Sequence, residues 1–158
     1  MANKVGKALA TIGTLTEVHT SALNPIMTIV EDAAGGAYIY MYGGTSVAVG
    51  TAVTYDEAGV VTALAADAIG PVAFSMAANT TTTSANWYCV RSPSGGMSVK
   101  TDSGVTDNAL VYIDGTAGRV DDTVVAGDLR LNAVFRCTDT SNFSTVQFNF
   151  PSVNNTLG

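Results

Sequence analysis

The sequence predicts an all-β protein: a sandwich or barrel-like domain of short antiparallel strands, preceded by an extended N-terminal arm. Thr, Val, Ala and Gly dominate the 158 residues, and β-branched side chains fit the pleated surface of a sheet. Short apolar runs recur between turns rich in Gly, Asn and Asp, which is typical of sandwiches and barrels. One pattern of this kind appears twice, about 60 residues apart.

The repeated pattern occupies about 47–76 in its first copy and 105–137 in its second. Each copy has a β-branched run, a turn that contains Ala-Gly, and a further apolar run that ends on Phe. The matching pieces are 49–56 with 105–112, 58–60 with 117–120, and 70–74 with 132–135. This pattern predicts strands and hairpins, and a scaffold built by repetition.

The chain divides near residue 24. Residues 1–24 form the predicted arm, because Gly6, Gly13 and scattered Thr residues interrupt any helical period. A short amphipathic helix is the alternative for this segment. Pro25 disfavours a helical conformation at the preceding residue and marks the start of a β-rich domain of residues 25–158.

Alternation of side chains defines the strands of this domain. The clearest strand is 38–42 (YIYMY), with aromatic residues on one face and aliphatic residues on the other. Residues 63–69 favour one or two helical turns, and residues 79–85 form a polar link. We expect Pro151 to end the last strand and the tail from Val153 to be loose. The predicted strands are 26–30, 38–42, 47–55, 60–64, 71–76, 87–91, 97–100, those within 105–137, and 143–150.

Charge is scarce. Charged residues make up 13% of the chain, against ~25% in ordinary soluble domains. This low fraction suggests assembly into something larger, and a neutral monomeric β domain is the alternative. The net charge is −6 and the basic residues are scattered, so direct binding to nucleic acid is not expected.

No segment indicates a membrane or secretory role. No run approaches the roughly 20 apolar residues that span a bilayer, and no basic amphipathic helix occurs. The N-terminus carries Lys4 and Lys7 but lacks the apolar core of a signal peptide. We expect a protein that is made and used without secretion, with no membrane partner.

Chemically reactive residues are few. His19 is the only histidine and lies in the arm, and no nucleophile elbow, phosphate loop or dinucleotide fingerprint occurs. Asp121 and Asp122, with Asp114 or Asp128, are candidate calcium ligands, but their spacing lacks the EF-hand pattern and favours solvated turn residues. We therefore predict no enzymatic activity, no cofactor and no metal.

Two cysteines, Cys89 and Cys137, lie inside apolar strand-like runs. Buried thiols are the favoured interpretation, and a disulfide between them is the alternative.

Four aromatic residues are the candidates for a protein contact: Tyr38, Tyr40, Tyr42 and Trp87. Rigid amphipathic rings on one strand suit an interface. Alternate aromatic residues on a strand also suit a core, with the hydroxyl groups reaching its rim. Both interpretations are open at the level of sequence.

Residues 107–120 (DNALVYIDGTAGRV), the Gly127-Asp128 pair that follows, and the final run 146–151 (VQFNFP) carry a resemblance. A strand, a Gly-Arg-Val turn and a further apolar strand in this order resemble the small capsid decoration, or cement, proteins of tailed bacteriophages. The likeness covers roughly residues 36–151 and is one of pattern and composition. The arm is not covered by it.

This resemblance implies a virion structural protein that binds the outer surface of an icosahedral capsid and stabilises it against internal DNA pressure. Its partners would be the major capsid protein and further copies of itself, as a homotrimer at local threefold axes. It would be made in the host cytoplasm and located on the capsid exterior. The alternatives are a tail-tube or head-fibre subunit, and a glycan- or receptor-binding β module that uses Trp87 and the three tyrosines as a platform.

Overall fold

The computed structural model describes residues 14–44, 46–79, 86–93, 95–102, 104–124, 129–136 and 141–153. These residues form eleven strands and no helix, so the all-β prediction is confirmed. The strands are β1 (Ile29–Glu31), β2 (Ala37–Gly44), β3 (Ala52–Tyr55), β4 (Val60–Ala63), β5 (Gly70–Ser75), β6 (Asn86–Ser92), β7 (Met97–Lys100), β8 (Leu110–Ile113), β9 (Val120–Asp121), β10 (Arg130–Phe135) and β11 (Phe143–Val153).

Strands β2 to β6 close into a five-stranded barrel, which we call the first ring. β3 pairs with β4 and β5, β5 pairs with β6, and β6 pairs with β2, all antiparallel. A parallel pairing of β2 with β4, through Tyr42 and Val60, closes the circle. β1 adds to the free part of β2, with Ile29 opposite Ile39.

Strands β7 to β11 repeat the same set of pairings, and we call them the second ring. β8 pairs with β9 and β10, β10 pairs with β11, and β11 pairs with β7, all antiparallel. The closing contact is again parallel, between Thr101 and Val120. It is reinforced by the Asp102 amide, which donates to the Val120 carbonyl at 3.2 Å.

The two copies seen in the sequence are therefore two copies of one strand arrangement. Tyr55 faces Val61 in the first hairpin, and Ile113 faces Val120 in the second. Each hairpin turn has an aspartate after the first strand and a glycine with positive φ before the second, at +76° for Gly59 and +83° for Gly118. The repeat in the structure extends beyond the pattern seen in the sequence. The antiparallel pairing of β2 with β6 in the first ring corresponds to the pairing of β7 with β11 in the second.

The interior of the first ring is filled by one face of its strands. Val53 and Tyr55 of β3 alternate with residues that point outward, as the two-residue period of a strand requires. The buried side chains of this cluster are Ile39, Met41, Val47, Val53, Tyr55, Val61, Ala73, Ala77 and Cys89. Cys89 is fully buried here, as the thiol interpretation predicts, and Cys137 lies outside the described residues.

The outer face of the first ring is also buried, because the second ring packs against it. Val72, Phe74 and Val90 point out of the barrel and join the same cluster as Leu131 and Phe148 of the second ring. The rings of Phe74 and Phe148 lie 4.6 Å apart between centroids, within the range of a favourable aromatic pair. Burial on both faces explains why β2 and β5 carry apolar residues at neighbouring positions instead of alternating apolar and polar ones.

Strand β11 connects the two rings. It pairs with β7 and β10 along most of its length, and its last two residues pair with β5, Ser152 opposite Pro71 and Val153 opposite Gly70. The register shifts between these segments, which marks a β-bulge. The prediction that Pro151 ends the strand is wrong: a proline is tolerated beside a bulge, and β11 continues to Val153.

The described part of the predicted arm, residues 14–24, packs on the domain without regular strand or helix. Leu15 contacts the core cluster, and the Leu23 amide donates to the Tyr40 hydroxyl at 3.1 Å. The His19 Nδ1 lies 3.1 Å from the same hydroxyl. Residues 1–13 lie outside the described residues.

Three predicted elements differ from the structure. Residues 63–69 contain a turn and no helix, because β4 ends at Ala63 and β5 begins at Gly70. The strand predicted for 26–30 begins only at Ile29, since Met27 has a φ of +70°. The strand predicted from residue 47 begins at Ala52, and Val47 forms an isolated bridge with Asn79. Of the predicted link 79–85, residues 80–85 lie outside the described part of the chain.

The turn of the second hairpin locks the rings together, and this generates a prediction. The Gly118 amide donates to the Leu64 carbonyl at 2.8 Å, and its carbonyl accepts from the Ala52 amide at 2.9 Å. A Cβ at Gly118 would lie 2.6 Å from Cγ2 of Thr51. We expect Gly118→Ala to lower the free energy of unfolding by about 2 kcal/mol or more, through positive φ and steric overlap. Urea denaturation measures this change.

Gly115 of the same turn provides the matched control. It has no positive φ, and a Cβ there meets no atom within 4 Å. Gly115→Ala should therefore stay within about 0.5 kcal/mol of the unaltered protein. Equal effects of the two substitutions would contradict the role of Gly118 as the contact between the rings.

Candidate contact surface

The four aromatic candidates do not form one exposed stripe. Tyr38 and Tyr40 are buried at 9% and 0% exposure, in the core between the rings, and Tyr42 is half-buried. This burial favours the packing interpretation over the contact interpretation for Tyr38 and Tyr40. Trp87 lies on β6 with its backbone opposite Met41, and its side chain is outside the described part of the structure.

Tyr40 holds the N-terminal segment against the first ring. Its hydroxyl meets the Leu23 amide and the His19 ring, and its backbone bonds to Met27 and Thr28 on the adjoining strand edge. His19 is mostly covered and also lies 3.9 Å from the Glu17 carboxylate. These contacts give His19 a packing role, which the sequence did not indicate.

Tyr38 pairs with Asp32 at the turn between β1 and β2. The Tyr38 hydroxyl donates to Asp32 Oδ2 at 2.7 Å, and Oδ1 accepts from the amides of Ala34 and Gly36 at 2.9 and 2.7 Å. The bond from Tyr38, followed by the amide bonds, lowers the pKa of Asp32 below its ordinary value. Burial, followed by the neighbouring carboxylate, raises the pKa of Tyr38 to about 12.

A cluster on the first ring joins it to the bulge in β11. The Arg91 guanidinium lies 5.5 Å from the Tyr55 ring centroid and 5.1 Å from the Phe150 ring centroid, and its Nη1 donates to the Tyr55 hydroxyl. Both rings are placed for cation–π attraction. Burial is the main cause that raises the pKa of Tyr55, and the charge of Arg91 partly opposes it.

Phe150 has an unusual conformation in this cluster. Its φ is +45°, a region that costs a non-glycine residue roughly 1–2 kcal/mol. The ring is 45% exposed, with Arg91 against it. The cluster thus holds in place the strained segment through which β11 passes from the second ring to the first.

A shallow groove lies on the outer face of the second ring. It has a volume of about 340 Å³ and crosses β8, β10 and β11. Apolar and polar side chains alternate along these strands, so that carboxamides lie beside an apolar floor. The lining residues are Leu110, Arg130, Asn132, Ala133, Val134, Gln147, Phe148 and Asn149.

One of the aspartates that the sequence suggested for calcium is engaged within the chain, and Asp102, which was not a candidate, pairs with an arginine. Asp122 accepts from the Thr106 amide at 2.8 Å, and Asp102 pairs with Arg119 at 3.7 Å. Asp128 lies outside the described residues. Within the described ranges, no group of three or more His, Cys, Asp or Glu side chains is placed to hold a metal ion.

Comparisons with protein-family models, with curated proteins and with solved structures find no match to this chain. Among the described residues, no helix is long and apolar enough to cross a membrane.

Sequence reasoning missed both the Arg91 cluster and the groove. Each depends on strands that are far apart in the chain: Arg91 lies against Tyr55 and Phe150, and the groove is lined by residues of β8, β10 and β11. The repeat in the sequence provided no signal for them, because the matches of Val72 with Arg130 and of Val90 with Gln147 appear only in the strand pairing.

The Asp32–Tyr38 pair predicts a pH dependence at both extremes. The pKa of Asp32 is lowered in the folded state. Its stabilising contribution to the free energy of unfolding is therefore complete above its ordinary pKa of 3.8 and is lost as pH falls through the pKa of the folded state. The pKa of Tyr38 is raised, so its contribution is complete below its ordinary pKa of 10.0 and is lost as pH approaches about 12. Tyr38→Phe should therefore raise the pKa of Asp32 toward 3.8 and weaken the acid dependence of stability.

Carboxyl-detected NMR titration and acid unfolding measure these two effects. Tyr112→Phe, which removes a phenol from the second ring, is the control. An unchanged Asp32 titration in the Tyr38→Phe protein would contradict the assigned cause.

The Arg91 cluster predicts a coupling between two residues. Arg91→Met keeps the aliphatic stem and removes the cation, so we expect a loss of about 1–2 kcal/mol in the free energy of unfolding. A double-mutant cycle with Phe150→Leu should give a coupling of about 1 kcal/mol. The control is Arg136→Met, at an exposed residue directly after β10, with an effect within about 0.5 kcal/mol. Additive effects of Arg91→Met and Phe150→Leu would count against the cation–π contact.

Proposed function

We propose that this protein is a virion structural component that binds and stabilises the outer surface of an icosahedral phage capsid. The observation that carries the proposal is a surface with few charged residues and several solvent-exposed aliphatic side chains. Charged residues make up 13% of the chain, and Ile29, Ile69 and Val124 are each more than half exposed. Such a surface suits wide contacts with a neighbouring lattice, in which many weak contacts act together.

The resemblance to capsid decoration proteins supports the same proposal. The segment that carries it, residues 107–120, forms the second hairpin, whose turn fastens the two rings together. Two rings of the same kind, joined by a shared core, make a stiff block of short strands. A stiff block that spans adjacent shell subunits would resist their separation under internal pressure.

The proposed partners are the major capsid protein and further copies of this chain, as a homotrimer. The proposed location is the capsid exterior after synthesis in the host cytoplasm. Direct contact with DNA and membranes, enzymatic activity and a cofactor form no part of the proposal. A tail-tube or head-fibre subunit is the alternative within the same class.

A glycan- or receptor-binding module that uses Tyr38, Tyr40, Tyr42 and Trp87 as its platform has less support. Burial of the Tyr38 and Tyr40 side chains leaves them little surface to offer a ligand. We therefore prefer the capsid role.

The number of copies per purified particle tests the proposal. We expect about one copy for each shell subunit or for every few subunits, measured by quantitative mass spectrometry against the major shell protein. About a dozen copies or fewer would favour a tail or fibre role. Absence from particles would overturn the virion proposal.

The N-terminal residues allow a second test. Removing residues 1–13 keeps the contacts of Leu15, His19 and Leu23 with the domain, so the truncated chain should keep its unfolding midpoint. If these residues extend the contact with the shell, its affinity for undecorated capsids should fall at least about tenfold, or ~1.4 kcal/mol. Unchanged affinity would show that residues 1–13 are not part of the interface with the shell. The capsid role itself is tested separately by the number of copies per particle.

A further inference from the structure

The groove on the second ring has a counterpart on the first ring, and the two faces have opposite character. The cross-strand pairs of the two rings show which positions correspond. Val72 lies opposite Thr54 in the first ring, and at the matching position of the second ring Arg130 lies opposite Tyr112. Val90 lies opposite Phe74 in the first ring, and Gln147 lies opposite Val134 in the second, so Gln147 matches Val90. The repeat therefore places Arg130 and Gln147 where the first ring has two valines.

The valines of the first ring are fully buried against the second ring. Arg130 and Gln147 are exposed on a face that no other described part of the chain covers. A permanent interface of the kind that buries Val72, Phe74 and Val90 would be mainly apolar. The outer face of the second ring instead offers carboxamides and a guanidinium, which suit a ligand that is itself polar and hydrated.

The side chains in the groove point to the chemical class of that ligand. Asn132, Gln147 and Asn149 each present a planar group that both donates and accepts hydrogen bonds, and hydroxyl groups on adjacent sugar carbons match that pattern. Leu110, 40% exposed, and Val134 provide an apolar floor for the C–H face of a sugar ring. The volume of about 340 Å³ lies at the lower end of small-ligand sites.

An extended peptide fits the same face less well. β-strand addition needs a free strand edge, and β10, in the middle of the groove, is paired with β8 on one side and β11 on the other. The groove therefore offers side chains and not main-chain groups. Among the described residues that line the groove, Arg130 carries the only charged side chain, and its planar fork favours a carboxylate.

We propose that this groove binds an oligosaccharide that carries carboxylate groups, with Arg130 pairing with the carboxylate and the three carboxamides with hydroxyl groups. The proposal rests on the lining of the groove and does not depend on the capsid function.

Titration of the full-length, isotope-labelled chain with a uronic acid tetramer tests the proposal. We expect saturable NMR shifts at residues 110, 130–134 and 147–149, with a dissociation constant of about 1 mM or tighter. A neutral glucose tetramer should bind at least about tenfold more weakly, because it lacks the partner of Arg130. Absence of shifts up to about 10 mM uronic acid tetramer would overturn the proposal.

Two variants identify the contact. Arg130→Gln should weaken binding of the uronic acid tetramer at least about tenfold. Arg136→Gln, at an exposed arginine that follows β10 and lies outside the groove lining, should leave it unchanged. Equal losses in both variants would show a general charge effect and reject the site. Shifts of the groove residues that depend on protein concentration without sugar would assign the face to a second copy of the chain. Particle counts are unaffected by any of these outcomes, so failure here is separate from failure of the capsid proposal.

Discussion

The structure depends on one constraint: a ring of five short strands encloses too few side chains to be stable without cover. Among the side chains that the structure describes, nine fill the interior of the first ring, and Ala73, Ala77 and Cys89 among them are small. Apolar burial contributes roughly 25 cal/mol for each Å², and small domains bury a low fraction of their surface. Stability therefore requires the outer face of this ring to be buried as well, and the second ring provides that burial.

This constraint explains features that look unrelated along the chain. Strand β11 is long because it completes the second ring and then reaches β5 of the first. The change of partner requires a bulge, and the bulge places Phe150 in a strained conformation. Arg91 and Tyr55 stabilise the strained segment from the first ring. At the other contact between the rings, only glycine fits at position 118.

The sequence was sufficient for the class of fold and for the repeat. The Ala-Gly turns marked two hairpins that the structure contains. The residue match between the copies differs from the one read in the sequence, because strand pairing matches Tyr55 with Ile113 and Phe74 with Val134. It was not sufficient for the role of Tyr38 and Tyr40, because a strand that is apolar on both faces has no alternation from which to read its exposed side. The continuation of β11 through Pro151 was missed for a similar reason: the partner that makes it possible, β5, lies about 80 residues earlier.

The repeat also separates structural from functional surface. Two copies of one strand arrangement should tolerate similar side chains wherever their surroundings are similar, so differences between matched positions report differences in environment. Phe74 and Val134 keep an apolar residue, whereas Val72 and Val90 are matched by Arg130 and Gln147. Exposure to solvent is enough to explain a polar residue at any of these positions. Exposure to solvent does not favour an apolar residue, yet Leu110 is exposed on the same face. An apolar floor bordered by carboxamides and one guanidinium is better suited to a polar ligand with a flat apolar side, which is the character of a sugar ring.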